Sequence, residues 1–130
     1  MTRKILYVDD DLESRALVAE YLRLRGYEPI TVDEASHALR QADQTKLDAI
    51  ILDVNLIGLD GPELMELLLQ KHPNIPVLLY TGMNPESEKV KSMLARGARQ
   101  CVSKNSPLDA LVKAVHDVSH RAEDVSRGVS

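Results

Sequence analysis

Five side chains in this sequence have the types and spacing to do chemistry together: the carboxylates of Asp9, Asp10 and Asp53, the hydroxyl of Thr81 and the ammonium of Lys104. Each closes or follows a short run that reads as a strand, apolar in every case but the last. Asp9 and Asp10 follow Ile5-Leu6-Tyr7-Val8, Asp53 closes Ala49-Ile50-Ile51-Leu52, Thr81 follows Val77-Leu78-Leu79-Tyr80, and Lys104 follows Gln100 to Ser103. Apolar runs this short and rich in β-branched residues read as buried parallel strands, and open α/β sheets do their chemistry at the C-terminal edge of such strands.

Charge limits what such a site can hold. Three carboxylates and one lysine sum to about −2, and like charges this close raise one another's pKa unless a cation sits among them. A divalent cation brings the sum near zero. An all-oxygen donor set with open positions suits Mg²⁺, which takes one or two carboxylates, several waters and a phosphate oxygen. A phosphoryl group is then the natural further ligand, its oxygens shared by the metal, Lys104, Thr81 and loop N–H groups. Asp53 ends a wholly apolar strand and is held most rigidly, so it is the better nucleophile, with an aspartyl phosphate as product.

The elements that must position these groups follow from the pattern of the chain. After the first strand, Asp11 and Glu13 supply an N-cap and a first-turn acid for a helix with Leu12, Ala16, Ala19 and Tyr21 or Leu22 at helical spacing, ending at Gly26. A weaker strand spans Glu28 to Val32. Asp33-Glu34 opens a second helix with Ala35, Ala38, Leu39 and Ala42 on one face. Beyond Asp53, residues 54 to 60 read as a loop. Pro62 starts a third helix with a Leu64, Leu67, Leu68 stripe, and His72-Pro73 ends it. Asn84-Pro85 opens a fourth helix whose apolar face is thin (Val90, Met93, Leu94) and which Gly97 closes. Ser106-Pro107 opens a fifth, with Leu108, Leu111, Val112, Val115 and Val118 on one face.

Five strands alternating with five helices predict an α/β fold: a doubly wound, five-stranded parallel sheet, flavodoxin-like, in the order 2-1-3-4-5, with helices on both faces. That order puts the first and third strands side by side at the switch point, where Asp9 and Asp10 meet Asp53. The expected domain is residues 1–121, with 122–130 a polar tail or the start of a linker.

Composition narrows the function classes. With 130 residues the chain is the size of one domain. Sixteen Lys and Arg against 20 Asp and Glu give a net charge of −4, which argues against a nucleic-acid or anionic-membrane surface formed by this chain. The single cysteine, Cys101, excludes an internal disulfide and a Cys-rich zinc site. No apolar stretch is long enough to span a bilayer, and the expected location is cytoplasmic. Phe and Trp are absent, so the core is aliphatic with four Tyr.

The acidic pair after the first strand, Leu52-Asp53-Val54-Asn55, Asp60-Gly61 before the third helix, Thr81-Gly82, and Gly97-Ala98 leading to Lys104 together resemble the receiver domain of two-component response regulators, over residues 3 to 120. The resemblance is to a single-domain or N-terminal receiver, a signalling switch whose only catalysis is its own phosphotransfer and autodephosphorylation. It implies that Asp53 accepts a phosphoryl group from a phosphohistidine on a sensor histidine kinase or a histidine phosphotransfer protein. By the same resemblance, Asp10, Asp53 and the main-chain carbonyl of Asn55 bind Mg²⁺, Asp9 acts through a metal-bound water, and Thr81 and Lys104 bind phosphoryl oxygens. Movement of Thr81 starts the switch; Asn55 and Met83, two residues after Asp53 and Thr81, flank the site and are the positions at which to look for control of the lifetime of the phosphorylated state. The implied output is control of a protein partner, or onward passage in a phosphorelay. The partner face implied by the resemblance is formed by the fourth helix, fifth strand and fifth helix; Lys89, Lys91, Arg96 and Arg99, clustered around the fourth helix and its exit, read either as ordinary solvated charge or as a docking surface on that face. A monomer or weak dimer is expected.

Three positions depart from the family pattern: Ile57 where Pro is frequent, Asn105 where Pro usually follows the lysine, and Cys101 at the aromatic switch position of the fifth strand. The acceptor chemistry is expected to survive them, and the coupling to a partner is where they bear. Cys101 and Asn105 keep open an alternative, a pseudo-receiver acting as an interaction module without phosphorylation. An enzymatic rival, a haloacid-dehalogenase-type phosphatase, needs a second acid two residues after the nucleophile, and that residue is Asn55. An amide cannot be a general acid. Elsewhere the plainer readings stand: Cys101 as a small buried hydrophobe, His116 and His120 as one solvated helix face, and His37 and His72 as surface residues.

Overall fold

The computed structural model describes residues 2–56, 61–82 and 84–126, with side chains up to residue 119. Ten elements alternate along the chain: β1 (Lys4–Val8), α1 (Leu12–Leu24), β2 (Glu28–Val32), α2 (Ala35–Gln44), β3 (Ala49–Asp53), α3 (Gly61–Lys71), β4 (Val77–Thr81), α4 (Glu88–Ala95), β5 (Gln100–Ser103) and α5 (Leu108–Ser126). All neighbouring strands are parallel, in the order β2-β1-β3-β4-β5, as the sequence predicts. β3 and β4 are buried along their whole length. That is why they read as unbroken apolar runs rather than alternating ones.

Alternation within each strand divides the core into two layers. Leu6, Val8, Ile50, Leu52, Val77 and Leu79 face α2, α3 and α4, whereas Ile5, Tyr7, Ile51, Leu78, Tyr80 and Val102 face α1 and α5. Fully burying an aliphatic side chain stabilises by roughly 1.5–3 kcal/mol, so these central strands anchor the molecule and hold their C-terminal ends still.

Four helix faces differ from the pattern read in the sequence. In α1 the buried residues are Val18, Ala19 and Leu22, while Leu12 is 69% exposed and Ala16 also faces solvent. Leu12 stands at the mouth of the sheet edge, one residue past the N-cap Asp11, where no layer covers it. In α3, Met65 joins Leu64 and Leu68 in the core and Leu67 lies on the outside. α4 begins at Glu88, capped by the Ser87 hydroxyl, which accepts from the Val90 N–H at 3.3 Å; Asn84-Pro85 forms a preceding turn and not the helix start. Only Val90 and Met93 of α4 are buried, and Leu94 is partly exposed. α5 is helical from Leu108, with Leu111, Ala114, Val115 and Val118 buried, and its backbone continues to Ser126, past the end of its apolar period.

Gly61 marks a close approach. A Cβ there would lie 2.4 Å from the Val54 carbonyl oxygen, so only glycine lets α3 begin against the segment leaving β3. At the other end of the sheet, Gly26 follows α1 with φ +90°, which an L side chain rarely adopts.

Candidate functional site: an acidic cluster at the switch point

The pairing of β1 with β3 puts Val8 beside Leu52 and carries the next residues, Asp9 and Asp53, to the same edge. Asp9 and Asp53 are buried and Asp10 is half-buried; one carboxylate oxygen from each lies within 4.8 Å of the other two. These are three hard oxygen donors with room between them, a donor set that fits Mg²⁺. From the far side of the sheet Lys104 reaches in. Its Nζ is 2.6 Å from Asp9 Oδ2 and 3.7 Å from Asp53 Oδ2, and its main-chain N–H donates to the Thr81 carbonyl at 2.7 Å. Thr81, the last residue of β4, is fully buried. The structure thus brings together Asp9, Asp10, Asp53 and Lys104, with Thr81 ending the adjacent strand.

Each acid is held by its own partners. Asp9 Oδ1 accepts from the Asp11 N–H at 2.9 Å, and Asp9 Oδ2 accepts from both Lys104 and the Tyr7 hydroxyl. Its carbonyl accepts from Arg15 Nη1 at 2.7 Å. Asp11 stands outside the cluster as the α1 N-cap: its Oδ2 accepts from the Ser14 hydroxyl at 2.6 Å and N–H at 3.2 Å, and the hydroxyl bond leads in holding its carboxyl below the usual range. Asp53 Oδ1 accepts from the Asn55 N–H at 3.2 Å. Burial first, and then the charge of Asp9, push the Asp53 carboxyl up to about 6. Burial opposes the charge on Lys104, but its hydrogen bond to Asp9 and the charges of Asp53 and Asp9 outweigh that and hold its pKa above the ordinary lysine value. A carboxyl raised above its ordinary value by burial and a neighbouring carboxylate is one whose charged form a bound cation would favour.

Residues 5–116 match the family described as the response regulator receiver domain. The chain belongs to that family. Among its relatives, the alkaline phosphatase synthesis transcriptional regulatory protein PhoP of Bacillus subtilis is 38% identical over 118 residues, covering 88% of this chain and 49% of that protein. The response regulator protein FleR of Pseudomonas aeruginosa is 34% identical over 115 residues, covering 88% of this chain and 24% of that protein. The chain therefore spans half or less of the length of these curated relatives. Among solved structures, the receiver domain of NtrX from Brucella abortus superposes with a TM-score of 0.84 at 31% identity, covering 89% of this chain and 98% of that one. The response regulator TrrA of Thermotoga maritima, in complex with Mg²⁺-BeF, gives 0.80 at 27% identity, covering 90% and 99%.

Within this receiver the remaining expected positions fall as follows. Asn55 follows β3, with its N–H on Asp53 and its side-chain Oδ1 accepting from Lys89 Nζ at 3.1 Å. Met83, Ile57 and Asp60 lie outside the described residues. Cys101 is half-buried against the α2–α3–α4 layer, a little more open than a core hydrophobe, and burial pushes its thiol up. The Asn105 N–H donates to Ser103 Oγ at 3.0 Å, which ties the turn after β5. His116 is exposed and the His120 side chain lies outside the described residues. His72 is only 23% exposed and its Nε2 lies 2.9 Å from Asp43 Oδ1, so it is a partnered rather than a free surface residue. Among the described residues, no helix is long and apolar enough to cross a membrane.

Sequence reasoning passed over two contacts at this site. Tyr7 sits two residues before Asp9 and so shares its face of the strand; that spacing was the available signal. Lys89, read in the sequence only as part of a basic cluster, reaches Asn55 across the loops, and nothing local in the sequence announces it.

Proposed function

We propose that this receiver takes a phosphoryl group from a phosphohistidine onto Asp53 with Mg²⁺ and switches conformation as a result. The observation that carries the reading is the position of Lys104 Nζ, between a buried Asp9 at 2.6 Å and a buried Asp53 at 3.7 Å, where the ends of β1, β3 and β5 converge on one edge of the sheet. An ammonium so placed can neutralise an oxyanion built on Asp53. In the transfer, an Asp53 oxygen bonds to phosphorus as the P–N bond of the phosphohistidine breaks, and the departing imidazole nitrogen keeps the bonding pair and is protonated. Asp10, Asp53 and the Asn55 carbonyl would hold Mg²⁺, Asp9 acting through a bound water. When bound, the metal supplies charge neutralisation for the phosphoryl oxygens and the carboxylates. Lys104 and the Thr81 hydroxyl orient the phosphoryl oxygens, and Asn55 and Met83 tune the lifetime of the product. The acyl phosphate shifts an existing conformational equilibrium by binding one state better.

The donor in this reading is a sensor histidine kinase or a histidine phosphotransfer protein in the cytoplasm. The output is a protein partner on the α4–β5–α5 face or the next carrier of a phosphorelay, and the working form is a monomer or weak dimer. Residues 1–121 are taken as the receiver unit and 122–130 as a polar tail or the start of a linker. Incubation with Mg²⁺ and acetyl phosphate or phosphoramidate, followed by intact mass, tests it beside Asp53→Asn. The expected result is a labile gain of one phosphoryl group that disappears in the variant and without Mg²⁺. No gain, together with no Mg²⁺ binding by titration, sinks the reading in favour of a phosphorylation-independent interaction module.

A further inference from the structure

Tyr7 is fully buried in the layer beneath α1 and α5, and its hydroxyl donates to Asp9 Oδ2, the oxygen that Lys104 Nζ also holds at 2.6 Å. The ring has little freedom: Tyr80 packs edge-on against it with centroids 6.1 Å apart. The hydroxyl is therefore fixed where it is. A phenol ordinarily keeps its proton up to about pH 10, so the hydroxyl is a donor throughout the physiological range.

The function proposed above requires Lys104 to turn from Asp9 toward an oxyanion on Asp53. In the structure its ammonium is hydrogen-bonded to Asp9 at 2.6 Å and lies in looser ionic contact with Asp53 Oδ2, at 3.7 Å. Were Lys104 the only donor to Asp9 Oδ2, turning would strip that oxygen of its hydrogen bond in a carboxylate with no solvent exposure, which is costly. We propose that the Tyr7 hydroxyl is a positioning group that keeps Asp9 Oδ2 satisfied while Lys104 is handed over to the anion bound at Asp53. This inference rests on the acceptor role of Asp53. The plainer account is that Tyr7 fills the core and its hydroxyl bonds Asp9 because a buried hydroxyl needs some acceptor. The two accounts differ in what the hydroxyl does to anion binding alone.

Tyr7→Phe keeps the volume and ring and removes only the donor. Two dissociation constants are measured for wild type and variant: that of Mg²⁺ alone, where Lys104 stays on Asp9, and that of beryllofluoride at saturating Mg²⁺, where it must leave. Beryllofluoride affinity is expected to fall about tenfold, the low end for a hydrogen bond to a charged group, while Mg²⁺ affinity stays within about threefold. The ratio of the two constants is insensitive to a general loss of stability, since both are read on folded protein. An unchanged ratio, whether neither constant moves or both weaken together, overturns the role of Tyr7. Wild-type protein that binds Mg²⁺ but not beryllofluoride instead overturns the acceptor reading, and this inference with it.

Discussion

The two faces of the sheet are built to different standards at their shared C-terminal edge. Continuing the strand alternation, Asp9, Asp53 and Lys104 belong to the α1–α5 layer, with Tyr7, Ile51, Tyr80 and Val102 beneath them. There α5 buries Leu111, Ala114, Val115 and Val118, and the polar groups are joined in one network from Tyr7 through Asp9 to Lys104. Thr81 and Cys101 share the opposite parity, with Leu79, in the layer toward α4. That helix is eight residues long and buries only Val90 and Met93. Chemistry thus sits on the firmly packed face, and the residues expected to respond sit over the thinly packed one. A site must be held in place to bind, whereas a switch needs an element whose alternatives differ by little free energy.

The largest effect is expected from breaking the network on the firm face. Lys104→Met removes the ammonium and leaves Asp9, wholly buried, with only Tyr7 and the Asp11 N–H. Because one partner is fully buried and Lys104 is 23% exposed, a loss of about 3 kcal/mol is expected, at the lower edge of the cost of breaking a buried pair. Chemical denaturation at pH 7 measures it; a change under about 0.5 kcal/mol, the scatter of ordinary surface substitutions, would mean that the pair is structurally idle.

Gly61→Ala strikes the joint between the site and α3. The new Cβ would meet the Val54 carbonyl at 2.4 Å, backbone against which no rotamer change helps. Overpacking of this kind costs roughly 1–3 kcal/mol, and the strain would be passed through Val54 to Asp53. A fall in melting temperature together with weaker Mg²⁺ binding is expected. Normal stability would show that α3 can shift away from β3.

Asp53 supplies a prediction of opposite sign. Its folded-state pKa of about 6 lies above the ordinary carboxylate value, so the fold binds the proton more tightly than the unfolded chain does. In metal-free protein the carboxylate costs stability above pH 6, and that cost fades as the pH falls from about 6 toward 4. Asp53→Asn should therefore be more stable than wild type by about 1–2 kcal/mol at pH 7.5 in EDTA, with the difference vanishing near pH 4. Added Mg²⁺ should narrow the gap from the wild-type side. A variant less stable than wild type at pH 7.5 would mean that Lys104 outweighs burial and the charge of Asp9 at Asp53.

How much of this was legible in the sequence follows the same division. The strand order and the meeting of Asp9, Asp10, Asp53 and Lys104 could be read because apolar runs ending in charged residues leave few parallel arrangements. Leu12 and Ala16 of α1 and Leu67 of α3 were placed on the buried face because they are as apolar as Val18 and Met65, which take their place in the core, and the sequence does not show which side the sheet covers. The start of α4 was set four residues early, since Asn84-Pro85 resembles a helix opening and the Ser87 cap is a weaker signal. Tyr7 was counted as core volume because composition treats its hydroxyl as incidental. Lys89 on Asn55 is the contact no local signal could give, since 34 residues separate the two.

The smallest effect is also the most direct test of the contrast between the faces. Ser87→Ala removes the side-chain acceptor for the Val90 N–H and should cost about 1 kcal/mol, the usual price of an N-cap. Because α4 is short and buries two side chains, the loss should appear as local opening: faster amide exchange across Glu88–Ala95, with α5 amides from Leu111 to Val118 unchanged. The corresponding change at the firm face, Asp11→Ala at the N-cap of α1, removes acceptors for Ser14 and should slow no part of α4 and open none of it. If Ser87→Ala raises exchange equally in α4 and α5, the two layers open as one cooperative unit. Phosphorylation at Asp53 would then have to move the whole domain, and the thin packing of α4 would carry no special part in the response.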